Sequence, residues 1–149
     1  MKRVFLDANV LFTAAHNPAG KAKLVIEFGG KGYWEIVTNT LAAEEARRNL
    51  ALKFPDCLTK FEILLSGISV FPSRIEGSCS FSLSPQDRII FLSALKCKAT
   101  HLLTGDIKHF GSFMNKPNLT SGIIIQTVAE FLTSARRKRV KGRGTRFKI

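Results

Sequence analysis

The 149-residue chain has 45% hydrophobic and 23% charged residues, the composition of one globular domain with a real core rather than of a disordered or fibrous protein. No apolar run approaches the roughly 20 residues that span a bilayer, and no signal-peptide pattern follows Met1, so we expect a cytoplasmic protein without a membrane partner. The net charge of +12 indicates a polyanionic partner, and three widely spaced cysteines without a CxxC motif give no sign of a zinc site or a disulfide framework.

The first predicted element is a strand over residues 3–11, because a short continuous apolar run suits a strand buried on both faces of a parallel sheet. Asp7 interrupts that run. An unpaired carboxylate is costly to bury, so we interpret Asp7 as one wall of a site at the carboxyl end of the strand. A turn or helix-capping aspartate is the alternative at this position.

Helices and strands then alternate along the chain. We predict helices over residues 17–30, 40–54, 56–65 and 84–97 and after residue 125, with Asn17 and Thr40 as N-caps, and strands over residues 33–38, 67–71, 101–103 and 123–125. Residues 72–82 read as a surface loop. The alternation predicts an α/β fold, a three-layer α/β/α sandwich with a central, mostly parallel sheet of about five strands.

The excess positive charge is concentrated at the C-terminus. Residues 136–149 include eight basic side chains and no acidic one, and the stretch is too charged and glycine-broken to pack alone. We therefore divide the chain into a folded domain over residues 1–134 and a basic, flexible tail over residues 135–149. The tail residues expected to bind nucleic acid are Arg136, Arg137, Lys138, Arg139, Lys141 and Arg143.

Several carboxylates fall where strands of such a sheet end or where the following helix begins. Because ligands bind at the carboxyl ends of parallel strands, these groups should meet at one edge of the sheet. The acidic positions are Asp7, Glu44 or Glu45, Asp87 and Asp106. Asn9 and Thr104 are expected to support the neighbouring aspartates.

A cluster of that kind needs cations. Two like charges about 4 Å apart repel by roughly 4 kcal/mol at an effective dielectric of 20, so three or four carboxylates cannot all stay ionised alone. Oxygen-only ligand sets favour Mg²⁺ or Mn²⁺ over Zn²⁺. Such ions lower the pKa of an attacking water and neutralise a leaving oxygen in phosphodiester hydrolysis. Together with the basic charge, the cluster predicts a nuclease.

Each acidic residue also has a purely structural interpretation. Asp87 follows Ser84 by three residues, so the pair resembles a capping box. Asp106 follows Thr-Gly and fits a turn. Glu44 and Glu45 both lie off the apolar stripe of their helix, so periodicity does not choose between them. The placement of all these positions at one sheet edge is what favours a site.

Four segments together resemble the PIN-domain family of metal-dependent ribonucleases: residues 4–11, residues 38–45, residues 84–87 with Ala94 and Ala99 behind them, and residues 102–110. The resemblance extends to about Leu132. It implies a three-layer fold, dependence on Mg²⁺ or Mn²⁺, and cleavage of RNA. It also implies that the catalytic and metal-binding residues are Asp7, Glu45, Asp87 and Asp106, with Glu45 preferred to Glu44 by alignment.

The resemblance has consequences for partners as well. Small single-domain members are often toxins of bacterial toxin–antitoxin pairs, which implies an RNA substrate, a small antitoxin partner and a homodimer. Many members have a further acidic residue shortly after Thr-Gly-Asp. Here the following residues are Ile107, Lys108 and His109, which implies a weakly held second metal. We interpret His109 as an exposed loop histidine, with a phosphate contact as the alternative.

Two other functions remain open from the sequence. One is a non-catalytic RNA-binding module with a vestigial site. The other is a haloacid-dehalogenase-like phosphatase, because Asp7 opens an Asp-x-Asp-like pattern. Asn9 replaces the second aspartate of that pattern, and no paired aspartates follow the fourth strand, so the pattern is incomplete.

Overall fold

Five parallel strands form the central sheet of this computed structural model, which describes residues 1–73, 77 and 81–141. In chain order they are β1 (Arg3–Leu6), β2 (Glu35–Asn39), β3 (Ser69–Phe71), β4 (His101–Leu103) and β5 (Ile124–Gln126). Their order in the sheet is β3-β2-β1-β4-β5, and each neighbouring pair is parallel. The chain therefore leaves β1 toward one side and later returns to pair β4 with its other side, which makes the β1–β4 boundary a topological switch point.

Seven helices accompany the sheet in the described ranges: α1 (Ala8–His16), α2 (Lys21–Gly30), α3 (Thr40–Lys53), α4 (Leu58–Ser66), α5 (Pro85–Lys96), α6 (Ile107–Phe110) and α7 (Val128–Lys141). Helix α1 packs against α2, α3 and α4, and α2 packs against α7, whereas α5 packs on β2 and β4. The predicted α/β fold, a three-layer α/β/α sandwich around a parallel sheet, is confirmed.

Strand β1 is the centre of the core. Val4, Phe5 and Leu6 have no exposed surface, because β2 and β4 cover both edges of the strand and helices cover its faces. Fully burying side chains of this size contributes about 1.5–3 kcal/mol each. This core fixes the position of the residue that follows the strand.

The predicted first strand is too long. It ends at Leu6, and Asp7 is the N-cap of α1, its Oδ1 atom accepting the Ala8 N–H at 2.7 Å. An N-cap side chain accepts one of the N–H groups that have no partner in the first helical turn, so the helix begins at the residue after the cap. Residues 8–11 are thus helical, and the capping interpretation of Asp7 is correct without excluding a second role.

Three predicted helix starts are also wrong. Asn17 ends α1, since its N–H bonds the Thr13 carbonyl at 2.8 Å, and α2 begins only after Gly20. Asn39, rather than Thr40, caps α3. Helix α4 begins at Leu58 because residues 55–57 form a separate 3₁₀ turn. By contrast, Ser84 caps α5 and β4 spans residues 101–103 as predicted.

The cap at Asn39 gives a direct test of the local fold. Asn39 is fully buried, its Oδ1 accepts the Ala42 N–H at 2.8 Å, and its Nδ2 donates to Ser93 Oγ at 2.8 Å. We expect Asn39→Ala to lower the free energy of unfolding by about 2–4 kcal/mol, because a helix cap and a buried hydrogen bond are lost together. Thr40→Ala, at an exposed position, should change it by less than about 1 kcal/mol. Denaturant melts of both variants check this; equal losses would contradict the assignment of the cap to Asn39.

The predicted basic tail begins inside the last helix. Helix α7 continues to Lys141, beyond the predicted boundary at residue 134. Residues 142–149 lie outside the described residues, as does part of the predicted loop over residues 72–82. The division into domain and tail stays a prediction. Within the described residues, no helix combines the length and apolarity that crossing a bilayer would require.

Candidate active site

The switch point between β1 and β4 brings two loop starts side by side. Leu6 pairs with Leu103, and the Asp7 N–H continues the ladder by bonding the Leu103 carbonyl at 3.0 Å. Asp7 and Thr104, the next residues of the two strands, therefore lie next to each other at the carboxyl edge of the sheet. This is the edge at which the sequence predicts a site.

The Thr104 hydroxyl joins the two loops. It donates to Asp7 Oδ2 at 2.8 Å and accepts the Asp106 N–H at 3.0 Å, and the Asn9 amide approaches it at 3.4 Å. Asn9 also accepts the Gly105 N–H through its Oδ1 at 2.7 Å. The side chains predicted to support the aspartates thus fix the Thr-Gly-Asp turn against the start of α1.

Burial and neighbouring charge both act on Asp7. The residue is 5% exposed, and this burial is the main reason that its pKa rises from the ordinary 3.8 to about 6. Hydrogen bonds from Thr104 and from the Ala8 N–H pull the pKa down, while the charges of Asp87 and Glu45 push it up. Asp87 and Glu45 are therefore close enough to Asp7 to disfavour its ionised form.

A second group of ligand atoms lies beside Asp7. Asp87, Asp106 and His109 each offer one atom, and the three atoms lie within 4.8 Å of one another. His109 Nδ1 is 2.6 Å from Asp106 Oδ2 and 3.8 Å from Asp87 Oδ2. The hydrogen bond to Asp106, followed by the carboxylate charge, raises the pKa of His109 above its usual value.

Asp87 makes the predicted capping contact with Ser84, and its carboxylate also lies beside the other carboxylates of this edge. Its N–H bonds Ser84 Oγ at 3.2 Å, and the same hydroxyl donates to Asp87 Oδ2 at 2.7 Å, so the capping contact exists. The carboxylate is buried and faces Asp106 and His109 as well. The start of α5 therefore holds a carboxylate in place with a serine hydroxyl and leaves it beside the cluster.

The two consecutive glutamates of α3 face different neighbours. Glu45 is half-buried, accepts a hydrogen bond from Gln86 Nε2 at 2.7 Å, and acts on the pKa of Asp7. Glu44 is exposed, and its charge acts instead on Arg47. The rotation of about 100° per helical residue separates them, and it places Glu45 on the site side.

Comparisons with known proteins bear on the fold. No protein-family model matches the chain, and curated proteins give no significant sequence match. Among solved structures, it is similar to a chain in the crystal structure of VapBC2 from Rickettsia felis bound to a DNA fragment from their promoter, with a TM-score of 0.60, 17% identity, and coverage of 84% of this chain and 98% of that one. VapC is a PIN-domain protein. The fold is PIN-like.

The PIN-like edge has a donor set that fits a divalent cation. Asp87 and Asp106 supply carboxylate oxygens, which suit Mn²⁺, and His109 supplies an imidazole nitrogen, a common ligand of divalent transition metals. Two opposite ligands on one ion at about 2.1 Å each would be about 4.2 Å apart, close to the span of this group. Burial and the neighbouring carboxylates raise the pKa of Asp7, so a cation bound nearby would favour its ionised form.

The contact of His109 with two carboxylates of this edge was not predicted from the sequence. His109 was expected to lie in an exposed loop; it is exposed, but it lies in α6 and contacts two site carboxylates. The available signal was its position three residues after Asp106, since an N-cap side chain reaches the third residue of its helix. The helix itself was not predicted.

The predicted nucleic-acid contacts are only partly described. Arg136 is exposed on α7. The backbones of Arg137, Lys138, Arg139 and Lys141 continue the same helix, but their side chains, together with all of Arg143, lie outside the described parts of the molecule. Their role stays a prediction.

Proposed function

We propose that this protein is a metal-dependent endoribonuclease whose catalytic and metal-binding carboxylates are Asp7, Glu45, Asp87 and Asp106. One observation carries the proposal: carboxylates from residues 7 to 106 meet at the switch-point edge, where Asp87 and Glu45 raise the pKa of Asp7 and Asp87 lies beside Asp106. The similarity of the fold to a chain of the VapBC2 complex supports the same reaction class.

Three of the proposed catalytic carboxylates are held in place by neighbouring groups. Asp7 is positioned by the Thr104 hydroxyl and the Ala8 N–H, Asp87 by Ser84, and Glu45 by Gln86. Mg²⁺ or Mn²⁺ bound by these carboxylates would supply activation of water and stabilisation of the charge that develops on the phosphate. Residues already held in place need no reorganisation when the substrate arrives.

The proposed substrate is RNA, and the basic charge of the chain serves to attract it. Arg136 with Arg137, Lys138, Arg139, Lys141 and Arg143 would contact the phosphate backbone without reading its sequence. Such contacts position a strand, while the carboxylates at the sheet edge perform the cleavage.

We also propose that the protein is the toxin of a toxin–antitoxin pair, that it binds a small antitoxin protein, and that it forms a homodimer. The support is the solved structure to which the fold is similar, a VapBC2 complex bound to DNA from its own promoter. Co-expression with the protein encoded in the adjacent reading frame, followed by mass measurement of the complex, would test the partner and the stoichiometry.

The deciding experiment measures cleavage of a labelled single-stranded RNA with added Mg²⁺ or Mn²⁺ and with EDTA. We expect cleavage only with the ions, and a loss of at least about 100-fold for Asp106→Asn, because an ionic ligand is removed without a change of shape. Asp56→Asn, in the exposed 3₁₀ turn, is the matched control and should retain wild-type activity.

Two outcomes would contradict the proposal. Equal cleavage by wild type and Asp106→Asn would mean that the activity comes from elsewhere. RNA binding that persists in EDTA, with no cleavage under any ion, would favour the non-catalytic RNA-binding module with a vestigial site.

A further inference from the structure

We infer that His109 supplies a nitrogen ligand to the divalent ion held by Asp87 and Asp106, and that this ligand makes the site favour Mn²⁺ over Mg²⁺. The inference rests on the proposed function, because it concerns the ion of the same site. It goes further by assigning a ligand outside the four carboxylates and a preference between the two ions.

The geometry of α6 brings the imidazole to the carboxylates. Asp106 caps this helix by accepting the His109 N–H at Oδ1 over 3.3 Å. This hydrogen bond holds the His109 backbone close to the Asp106 carboxylate. The ring then lies with Nδ1 2.6 Å from Asp106 Oδ2 and 3.8 Å from Asp87 Oδ2. The side chain is about half exposed, at 54%, so an ion can reach it from solvent.

The edge has a buried part at Asp7 and a solvent-facing part at His109. Asp7 is buried and bonded to Thr104, and it is not among the three ligand atoms that lie within 4.8 Å of one another. Asp87 belongs to both parts, since its charge acts on Asp7 and its Oδ2 lies beside His109. The nitrogen is therefore at the outer, solvent-facing side of the cluster.

The ligand chemistry gives the direction of the preference. Mg²⁺ takes carboxylate oxygens and keeps several waters, and it gains little from an imidazole. First-row transition ions bind imidazole nitrogen more strongly than Mg²⁺ does, and Mn²⁺ is the member of that series that also suits carboxylates. One nitrogen beside two carboxylates thus strengthens the binding of Mn²⁺ more than that of Mg²⁺.

A simpler role for His109 makes a different prediction. If it only neutralised Asp106 as a cation, a bound ion would displace it, and its removal would strengthen the binding of both ions by similar factors. As a ligand, its removal weakens Mn²⁺ selectively. The two roles are separated by the ratio of affinities rather than by cleavage.

The test uses Mn²⁺ itself as the probe. The EPR signal of free Mn²⁺ gives its Kd, and competition with Mg²⁺ gives the second Kd, for wild type, His109→Ala, His109→Asp and the control His16→Ala, whose ring stacks on Phe54. We expect His109→Ala to weaken Mn²⁺ binding about 10-fold or more and Mg²⁺ binding less than about threefold. His109→Asp should lower the Mn²⁺ preference by a similar factor while keeping Mg²⁺ affinity, and His16→Ala should match wild type.

A spectroscopic signature completes the test. Pulsed EPR of Mn²⁺ bound to wild type should show coupling to one imidazole nitrogen, which disappears in His109→Ala and persists in His16→Ala. Tight Mn²⁺ binding without nitrogen coupling, or unchanged affinity ratios in both His109 variants, overturns the inference while leaving metal-dependent cleavage intact. Absence of any ion binding to wild type overturns the inference and the proposed function together.

Discussion

Asp7→Asn is expected to abolish metal-dependent RNA cleavage and, when divalent ions are absent, to stabilise the folded protein at alkaline pH. The loss of activity should be at least about 100-fold, since the substitution removes the charge of one of the proposed metal-binding carboxylates. The gain in stability follows from its pKa, which burial raises to about 6 in the folded state.

The direction of the pH dependence can be worked out from that pKa. Below pH 3.8 the carboxyl is protonated in both states and contributes no difference. As the pH rises from 3.8 to about 6 the unfolded chain ionises first, so the free energy of unfolding of the wild type falls, by about 3 kcal/mol in total, and stays lower above pH 6. Asparagine removes this deficit because it does not ionise.

The substitution also has a smaller cost that does not depend on pH. The Thr104 hydroxyl donates to Asp7 Oδ2 and already accepts from the Asp106 N–H, so an amide NH₂ in place of Oδ2 meets a crowded acceptor. This conflict costs about 1 kcal/mol. Asp7→Asn should therefore be about 2 kcal/mol more stable than wild type at pH 8 and no more stable at pH 4.

Urea unfolding in EDTA at both pH values measures the effect, with Asp56→Asn as the variant that removes an exposed carboxylate instead. The exposed control should follow wild type at both pH values. A variant at position 7 that is less stable than wild type by the same amount at pH 4 and pH 8 would contradict the burial of an uncompensated charge.

Thr104→Val is expected to have the second largest effect, on stability and activity together. Thr104 is fully buried, and its hydroxyl is shared between Asp7 Oδ2 and the Asp106 N–H. Valine keeps the shape and removes the hydroxyl, which leaves two polar groups without that partner and should lower the free energy of unfolding by about 2–3 kcal/mol.

The same change should move the pH dependence of cleavage. The Thr104 hydrogen bond lowers the pKa of Asp7, so its loss raises that pKa further, and the rise of activity with pH should shift to higher pH. Thr104→Ser is the matched control, because it restores the hydroxyl and lacks only the methyl group. If serine and valine at position 104 give the same pH profile, the hydroxyl has no role in positioning Asp7.

The sheet and its acidic edge could be predicted from the sequence because the relevant signals are local. Short apolar runs such as residues 101–103 fit buried parallel strands, and parallel strands end at a common edge. Asp7 and Asp106 needed only that rule to be placed near each other. The hydrogen bond from Thr104 to Asp7, which connects the two loops, joins residues 97 apart in the chain. Composition and periodicity do not reveal such a contact.

Three of the errors have a common physical origin in side-chain capping. Asp7, Asn39 and Asp106 each start a helix by accepting a backbone N–H. Asp7 and Asp106 follow a strand within three residues, and Asn39 is the last residue of β2. An apolar pattern continues across such a point, so the strand before α1 was predicted too long and α6 was not predicted. Without α6 there was no reason to bring His109 toward Asp106.

The choice between Glu44 and Glu45 shows a different limit. Both lie off the apolar stripe, so hydrophobic periodicity could not choose, and the preference for Glu45 came from the family resemblance alone. The structure turns Glu45 toward Gln86 and Asp7 and Glu44 toward Arg47. The deciding neighbours belong to other elements, which a single-helix pattern does not contain.

Because β1 is completed on one side only by β4, a ribosome must have added residues 101–103 before the edge between the two strands can form. Until residue 104 has left the exit tunnel, the Thr104 hydroxyl cannot bond Asp7, and the edge of β1 that pairs with β4 has no partner strand. A translation product released before that point has no assembled carboxylate cluster. The order of the strands thus delays assembly of this carboxylate cluster until β4 has been made.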